Sequence, residues 1–250
     1  MRHFFRIIED GNDFKLFSPL HLLLLLIFFI GIIAIRFRWF KLGDKKINKT
    51  LSNTLISIIL IDQIILYAWQ IGSGYFNLAI SLPLYHCRVA VWCLIIGKFM
   101  KNRFISTIGI YWGTMGALVA MIMVDLYDFQ FPHYTNFQFF ICHILMGWFI
   151  INQLFNEGIL INSKDQKKVL LATNIYNILL TGINLLLIKL GYPTNYGYMI
   201  EMPPFAPSLG PWYVQALFMI AVFNVGMWLL YGLFRLIQDR EDIKGKHVYK

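Results

Sequence analysis

Long runs of apolar residues, separated by short polar or basic linkers, occupy most of this 250-residue sequence. About 18 mainly apolar residues are enough for a helix to cross the hydrocarbon core of a bilayer. We therefore predict an all-α membrane protein, a bundle of about seven transmembrane helices that forms one domain over residues 1–250. The predicted helices lie at about 18–35, 50–71, 79–98, 105–126, 135–155, 169–190 and 212–236.

Composition supports a membrane environment. The chain is 58% hydrophobic and 14% charged, whereas soluble domains carry about 25% charged residues. A net charge of +9 would also suit a nucleic-acid-binding protein, but the basic residues lie between the apolar runs, as they do in cytoplasmic loops. We therefore predict no nucleic-acid partner.

Lysine and arginine are concentrated in alternate linkers, at about 36–49, 98–104 and 156–168, and in the tail at 237–250. The intervening linkers, near GSGYFN, YDFQFPHYTN and GYPTNYGYMIEMPPFAPSLGP, contain neither residue. Because basic loops stay in the cytoplasm, we predict an amino end outside, a carboxyl end inside and a multi-pass location in the plasma membrane.

The linker at about 191–212 is the longest on the predicted outer side, and it is rich in proline, glycine and aromatic residues. Such a composition fits an ordered interfacial loop or a lid. A plain connector fits equally well, so the sequence does not distinguish these two interpretations of the linker.

A small set of polar side chains falls within the predicted helices. Ionisable groups at membrane depth cost a few kcal/mol on insertion scales, so they are candidates for function. The set comprises Asp62, His86, Cys87, Arg88 and His143, with Asp125 near the outer end of predicted helix four and the neutral Asn174, Asn177, Asn184 and Asn224. No HExxH motif or His pair at helical spacing occurs, so we predict no metal site.

Cys87 and His143 each lie roughly 8 residues inside the outer end of a predicted helix, which corresponds to about 12 Å of depth. Asp62 and Arg88 fall at about 14 Å on the same reckoning. A nucleophile, a base, a cation and an acid therefore share one predicted layer. Such a set permits acyl transfer, in which a thiolate attacks an ester carbonyl and an imidazole moves the protons.

Two interpretations of Arg88 remain open. A nearby cation stabilises a thiolate, and a guanidinium also binds a lipid phosphate through paired hydrogen bonds. The structural alternative is an ion pair between Arg88 and Asp62 that fixes helix packing. Cys93 points about 120° away from Cys87 around the helix, and Cys142 and its neighbour His143 cannot both face one point. Buried cysteines usually serve as packing residues.

Several segments resemble the YwaF-like integral membrane proteins of bacteria. The most specific pieces are LPLYHC, YWGTMGAL and FQFFICH, which match the patterns LPxxxC, YWGxxGAL and FQFFxxH. The likeness runs from about Phe14 to Phe234 and covers nearly the whole chain. In the bacterial pattern a His often stands two positions before the Cys; this chain has Tyr85 there, and His86 follows it.

Through that family the sequence is distantly similar to animal transmembrane protein 164, a Cys/His membrane acyltransferase. That similarity implies transfer of a fatty acyl chain from a diacyl phospholipid to an ether-class lysophospholipid, with Cys87 as nucleophile and His143 as general base. It implies membrane phospholipids as partners and neither a cofactor nor a metal. The substrate-binding or supporting residues would be Asp62, His86, Arg88, Asp125 and Asn184.

Two other classes of function remain compatible with the residues themselves. A buried polar layer also suits a non-enzymatic membrane protein that binds or transports a small solute. A scaffold for a cell-envelope complex is the third interpretation.

Overall fold

The computed structural model describes residues 3–37, 44–203 and 206–248, with side chains as far as 238. All regular secondary structure in these ranges is helical, apart from turns. The seven α-helices are α1 (Pro19–Arg36), α2 (Lys45–Gly72), α3 (His86–Phe99), α4 (Arg103–Ile122), α5 (Tyr134–Phe155), α6 (Ser163–Lys189) and α7 (Trp212–Val248). A short 3-10 turn, Tyr196–Tyr198, lies between α6 and α7.

The predicted fold class is confirmed: the chain is an all-α, multi-pass membrane protein. Six of the helices, all except α3, are long and apolar enough to cross a bilayer. Many of their leucine and isoleucine side chains are exposed, as on α1 and α7, because lipid rather than water surrounds such surfaces. The 14 residues of α3 extend only about 21 Å.

The predicted start of helix three at 79 is wrong, because α3 begins at His86. Residues 78–84 are irregular, and their backbone groups find partners elsewhere. Tyr196 Oη donates to Leu78 O and accepts from Leu82 N, and Tyr176 Oη donates to Leu84 O. Non-helical backbone is tolerated at membrane depth when protein groups satisfy it in this way.

Other helix ends also differ from the prediction. The helix α4 stops at Ile122, so Asp125 lies just beyond its end, in the loop that follows. Both α2 and α6 begin earlier than predicted because Asp44 and Asn162 cap their first turns. The helix α7 continues to Val248, through most of the predicted tail at 237–250.

The helices α3 and α4 form an antiparallel hairpin that packs more extensively than any other helix pair. Glycines make the close approach possible. A Cβ atom at Gly97 would lie 2.5 Å from Ser106 Oγ, and a Cβ at Gly109 would lie 2.9 Å from the Leu94 side chain. Small residues at helix interfaces in membranes allow such backbone contact.

The bundle has two ends. At the amino-terminal side, the segment before α1 docks on the loop that precedes α5, where Tyr134 N donates to Phe4 O and Asp10 N donates to Asp128 O. We define the basic side as the opposite end, where α3, α4, α5 and α6 are joined by two ion pairs. These are Lys98–Glu157 and Arg103–Asp165, with N···O distances of 2.8 and 2.7 Å.

Candidate functional site

Cys87 is the second residue of α3 and faces α4. The backbone of α4 passes directly beside it, since a Cβ atom at Gly116 would lie 2.9 Å from Cys87 Cβ and 3.2 Å from Cys87 Cα. Tyr85 occupies the N-cap position but makes no side-chain capping hydrogen bond. The first-turn N–H groups and the positive end of the helix dipole therefore lie next to the thiol, an arrangement that favours negative charge.

His143 lies in the middle of α5 and is 7% exposed. Its Nδ1 is 2.7 Å from Phe139 O. Because a carbonyl oxygen only accepts, Nδ1 carries the proton and donates it. The other nitrogen, Nε2, is then an unprotonated acceptor in the neutral ring, which is the state that a general base requires.

Cys87 and His143 lie at the same level of the bundle. Each stands 12 residues before the last residue of its helix, Phe99 of α3 and Phe155 of α5, or about 18 Å along the helix axis. The two helix ends are themselves tied by the Lys98–Glu157 ion pair. The helices α2 and α4 each pack against both α3 and α5, whereas α3 and α5 have little direct contact with each other. No hydrogen bond joins Cys87 to His143 in the structure, so the two residues share a level without touching.

Arg88 follows Cys87 and lies partly buried between aromatic rings. Its Nη1 donates to Ile80 O at 2.8 Å and its Nη2 donates to Tyr127 Oη at 2.5 Å. The guanidinium also lies over the Tyr85 and Tyr127 rings, 5.5 and 5.7 Å from their centroids.

Asp62 does not pair with Arg88, so the ion-pair interpretation of these two residues is wrong. The Asp62 carboxylate instead accepts from Gln63 Nε2 at 3.0 Å and from Gln138 Nε2 at 2.8 Å. Gln63 Nε2 also lies 3.6 Å from Cys142 Sγ. The structure thus places Asp62 in a polar cluster between α2 and α5, with no hydrogen bond to His143.

His86 is enclosed by aromatic side chains and is 6% exposed. Its ring stacks on Phe223 with a centroid distance of 3.8 Å, and its Nε2 lies 2.7 Å from Asn177 Oδ1. The turn at Gly197 rests on the same ring, because a Cβ atom there would lie 3.1 Å from His86 Cε1. His86 therefore supports the loop between α6 and α7.

That loop is ordered by two of the predicted site residues. Asn184 donates from Nδ2 to Tyr196 O at 2.9 Å, and its Oδ1 accepts from Tyr196 N at 2.8 Å. Asp125 accepts a hydrogen bond from Tyr198 Oη, and the Tyr198 ring meets the Tyr85 ring edge to face. The part of this loop at residues 194–200 is therefore ordered and packs over the start of α3.

Several residues around Cys87 and Arg88 were not identified from the sequence. Tyr127 orients Arg88 and is itself held by Gln70 Nε2 at 2.9 Å. The Tyr85 ring contacts the rings of Tyr196 and Tyr198 in the loop between α6 and α7. The available signals were the YWGTMGAL motif, whose second glycine, Gly116, meets Cys87, and the aromatic content of the 191–212 linker.

A metal centre finds no support in the part of the chain that the structure describes. No group of three or more His, Cys, Asp or Glu side chains that could hold a metal ion occurs there. The three cysteines are free thiols. Around the start of α3, the reactive side chains that the structure places are the Cys87 thiol and the Arg88 guanidinium, with the His143 imidazole at the same level of α5.

The model of the TMEM164 family matches residues 16–231, which include every candidate site residue. No curated protein and no solved structure matches the chain.

Proposed function

The chain belongs to the TMEM164 family, and from that premise we propose that it is a membrane-embedded acyltransferase. It moves a fatty acyl chain between phospholipids through a thioester on Cys87, with His143 as general base and acid. The proposed location is the plasma membrane, with the amino-terminal side outside and the basic side in the cytoplasm, as the distribution of Lys and Arg favours.

The observation that carries this proposal is the shared level of Cys87 and His143 on two parallel helices whose ends are joined by Lys98 and Glu157. A thiol needs a base within hydrogen-bond reach, or one water away, in the reacting complex. The fixed His143 tautomer supplies an unprotonated Nε2, which is the correct form for that role.

In the first half of the reaction, His143 Nε2 accepts the Cys87 proton and the sulfur attacks the ester carbonyl of a diacyl phospholipid. The C–S bond forms and the ester C–O bond breaks. The leaving lysophospholipid oxygen takes the proton from the imidazolium. The product is an acyl thioester on Cys87 and a free lysophospholipid.

In the second half, the hydroxyl of an acceptor lysophospholipid attacks the thioester carbonyl. His143 accepts the hydroxyl proton, the new ester C–O bond forms and the C–S bond breaks. The proton returns to the sulfur, which restores the thiol. No oxidant, reductant or nucleotide is required, because one ester is exchanged for another.

Arg88 is proposed to hold the phosphate of the substrate lipid. A guanidinium has five N–H donors, and the contacts with Ile80 and Tyr127 use only some of them. Arg88 forms no ion pair with a described carboxylate. A partly buried cation without a carboxylate partner is suited to bind an anionic ligand.

The decisive experiment uses purified protein in nanodiscs with a diacyl phospholipid carrying an isotope-labelled acyl chain, together with an unlabelled lysophospholipid. Mass spectrometry should find the label in the acceptor with wild type and none with Cys87→Ala. Equal transfer by a folded Cys87→Ala protein would reject the covalent mechanism. Absence of transfer by wild type, over a panel of diacyl and ether-class lipids, would favour the solute-binding or scaffold interpretations.

A further inference from the structure

A second site lies at the basic side of the bundle, away from Cys87. A cavity of about 580 Å³ opens there among α2, α3, α4 and the end of α5. Pockets of about 300–1,000 Å³ are typical of sites for small molecules and cofactors. None of its lining residues belongs to the proposed acyl-transfer site, so this cavity is independent of that function.

Positive charge dominates the lining. Five cationic side chains border the cavity, namely Lys45, Lys49, Lys98, Lys101 and Arg103, against one acid, Glu157. The acid is used by Lys98, and Arg103 is paired with Asp165. The other three lysines form no ion pair with the residues that the structure describes.

A buried amide also faces this cavity without a partner. Asn48 lines the cavity and is 3% exposed, yet its Oδ1 has no hydrogen-bond partner in the described structure. Buried polar groups are nearly always paired. Because an amide oxygen only accepts, the unpaired Oδ1 indicates a ligand group that donates, such as a head-group hydroxyl.

The inner wall of the cavity is apolar. Leu94, Ile110 and Phe149 line it and are at most 2% exposed. A cationic rim above an apolar wall matches a molecule with an anionic head and an apolar part. Basic pockets between transmembrane helices on the cytoplasmic side are known to receive anionic lipid head groups.

From these observations we infer that the cavity binds the phosphate of an anionic phospholipid, with Lys45, Lys49 and Lys101 around the phosphate and Asn48 bonded to the polar head. The first turns of α2 and α4 add the positive ends of two helix dipoles at the same rim. Asp44, which precedes Lys45, caps the first turn of α2 by accepting from the backbone of Lys46 and Ile47. Its negative charge adds to that of Glu157, and the five cationic side chains of the lining still outnumber these two acids.

The test measures lipid binding by native mass spectrometry and thermal stability in nanodiscs. Phosphatidylglycerol and phosphatidylcholine with identical acyl chains are compared, because only the former is anionic. Lys49→Gln with Lys101→Gln should weaken binding of phosphatidylglycerol by ~25-fold, since each lysine near an anionic head group contributes about fivefold. The matched control, Lys164→Gln with Lys167→Gln, removes two lysines from α6 outside the cavity and should bind like wild type.

A second variant covers the case in which the lysine variant misfolds. Asn48→Asp is nearly isosteric and places a negative charge in the cavity, so it should abolish the preference for phosphatidylglycerol over phosphatidylcholine. Equal binding of the two lipids by wild type, or unchanged preference in both variants, overturns the inference. Stabilisation by glycerol 3-phosphate without stabilisation by phosphatidylglycerol assigns the site to a soluble phosphate compound and overturns the lipid assignment.

Discussion

Cys87 and Gly116 are in direct contact across the interface of α3 and α4, with no room for a side chain at position 116. A Cβ atom there would lie 2.9 Å from Cys87 Cβ, shorter than ordinary van der Waals contact. The backbone of α4 thus serves as the support against which the proposed nucleophile is held. The position of the thiol is fixed by a glycine on another helix, 29 residues later in the sequence.

Gly116→Ala should displace Cys87 and reduce acyl transfer by at least about tenfold, because small misplacements of reacting groups have large effects on rate. Overpacking of this kind costs about 1–3 kcal/mol of stability. The measurement is the labelled-lipid assay together with thermal unfolding.

The matched control is Gly182→Ala in α6, where a Cβ atom would meet nothing within 4 Å. This change should leave activity near wild type. Full activity of Gly116→Ala, at wild-type stability, would show that the contact with Cys87 has no role in positioning the thiol.

The sequence was sufficient for the number of helices, but not for the form of the chain that leads to Cys87. Hydropathy cannot distinguish an apolar helix from an apolar irregular segment, so residues 79–85 were predicted as part of helix three. Their irregular form depends on hydroxyl groups of Tyr176 and Tyr196, about 92 and 118 residues away from the backbone carbonyls that they bind.

The roles of the supporting residues were also hard to predict, because their partners lie far away in the sequence. Asn184 and Asp125 were selected because polar groups near membrane depth are costly, and both are engaged as that argument requires. Their partners are Tyr196 and Tyr198 in the following loop. Sequence spacing gives no information on such contacts, because the loop has to fold back onto α3 before they exist.

The second prediction concerns the proposed catalytic pair. His143→Ala should lower transfer by about 10²–10⁴-fold, the usual contribution of a general base, and Cys87→Ala should lower it at least as much. The double variant should be little worse than either single variant, because members of one catalytic unit are strongly non-additive. Transfer rates in the labelled-lipid assay provide the comparison.

Cys93→Ser is the control for the catalytic pair, because it changes a thiol on the same helix that lies outside the proposed chemistry. It should retain most of the activity. Multiplicative losses in the double variant would mean that Cys87 and His143 act separately. In wild type, a hydroxylamine-sensitive acyl group on Cys87 is the expected intermediate.

The third prediction concerns orientation in the membrane. Single cysteines at the exposed positions Lys45 and Lys164 should be protected from a membrane-impermeant maleimide in intact cells, since both lie at the basic side. A cysteine at Tyr192, which is 37% exposed at the other end of the bundle, should be labelled. Labelling of Lys45→Cys but not Tyr192→Cys from outside would reverse the orientation.

The fourth prediction is a pH dependence at the start of α5. His133 caps the helix through Nδ1, which accepts from Thr135, while its Nε2 donates to Arg6 O at 3.0 Å. Burial lowers the pKa of His133 below its usual range, so the folded protein favours the neutral ring. Protonation would put a donor against Thr135 N–H and disrupt the cap.

The direction of the pH effect on stability follows from proton linkage, because the unfolded chain binds the His133 proton more readily than the folded protein does. The contribution of neutral His133 to the stability of the folded protein is complete above pH 6.5, which is about the pKa of a histidine in the unfolded chain. That contribution declines as the pH falls from there towards the lower pKa of His133 in the folded protein. His133→Asn retains a capping side chain without titrating. The unfolding temperature of wild type should therefore fall more between pH 7 and pH 5 than that of the variant; parallel curves would contradict this assignment.

The final prediction concerns the two hydrogen bonds between the Asn184 side chain and the Tyr196 backbone. Asn184→Ala leaves the buried N–H and C=O of Tyr196 without partners, at a cost of about 1–3 kcal/mol for each group. Hydrogen exchange in residues 194–200 should accelerate, and acyl transfer should fall because the loop no longer packs over α3.

Asn174→Ala is the control. It removes a comparable pair of amide hydrogen bonds, between Asn174 and Asn224, from the same helix without affecting the loop. Both variants should lose thermal stability, but only Asn184→Ala should expose the loop. Unchanged exchange at 194–200 in Asn184→Ala would show that other contacts hold this segment in place.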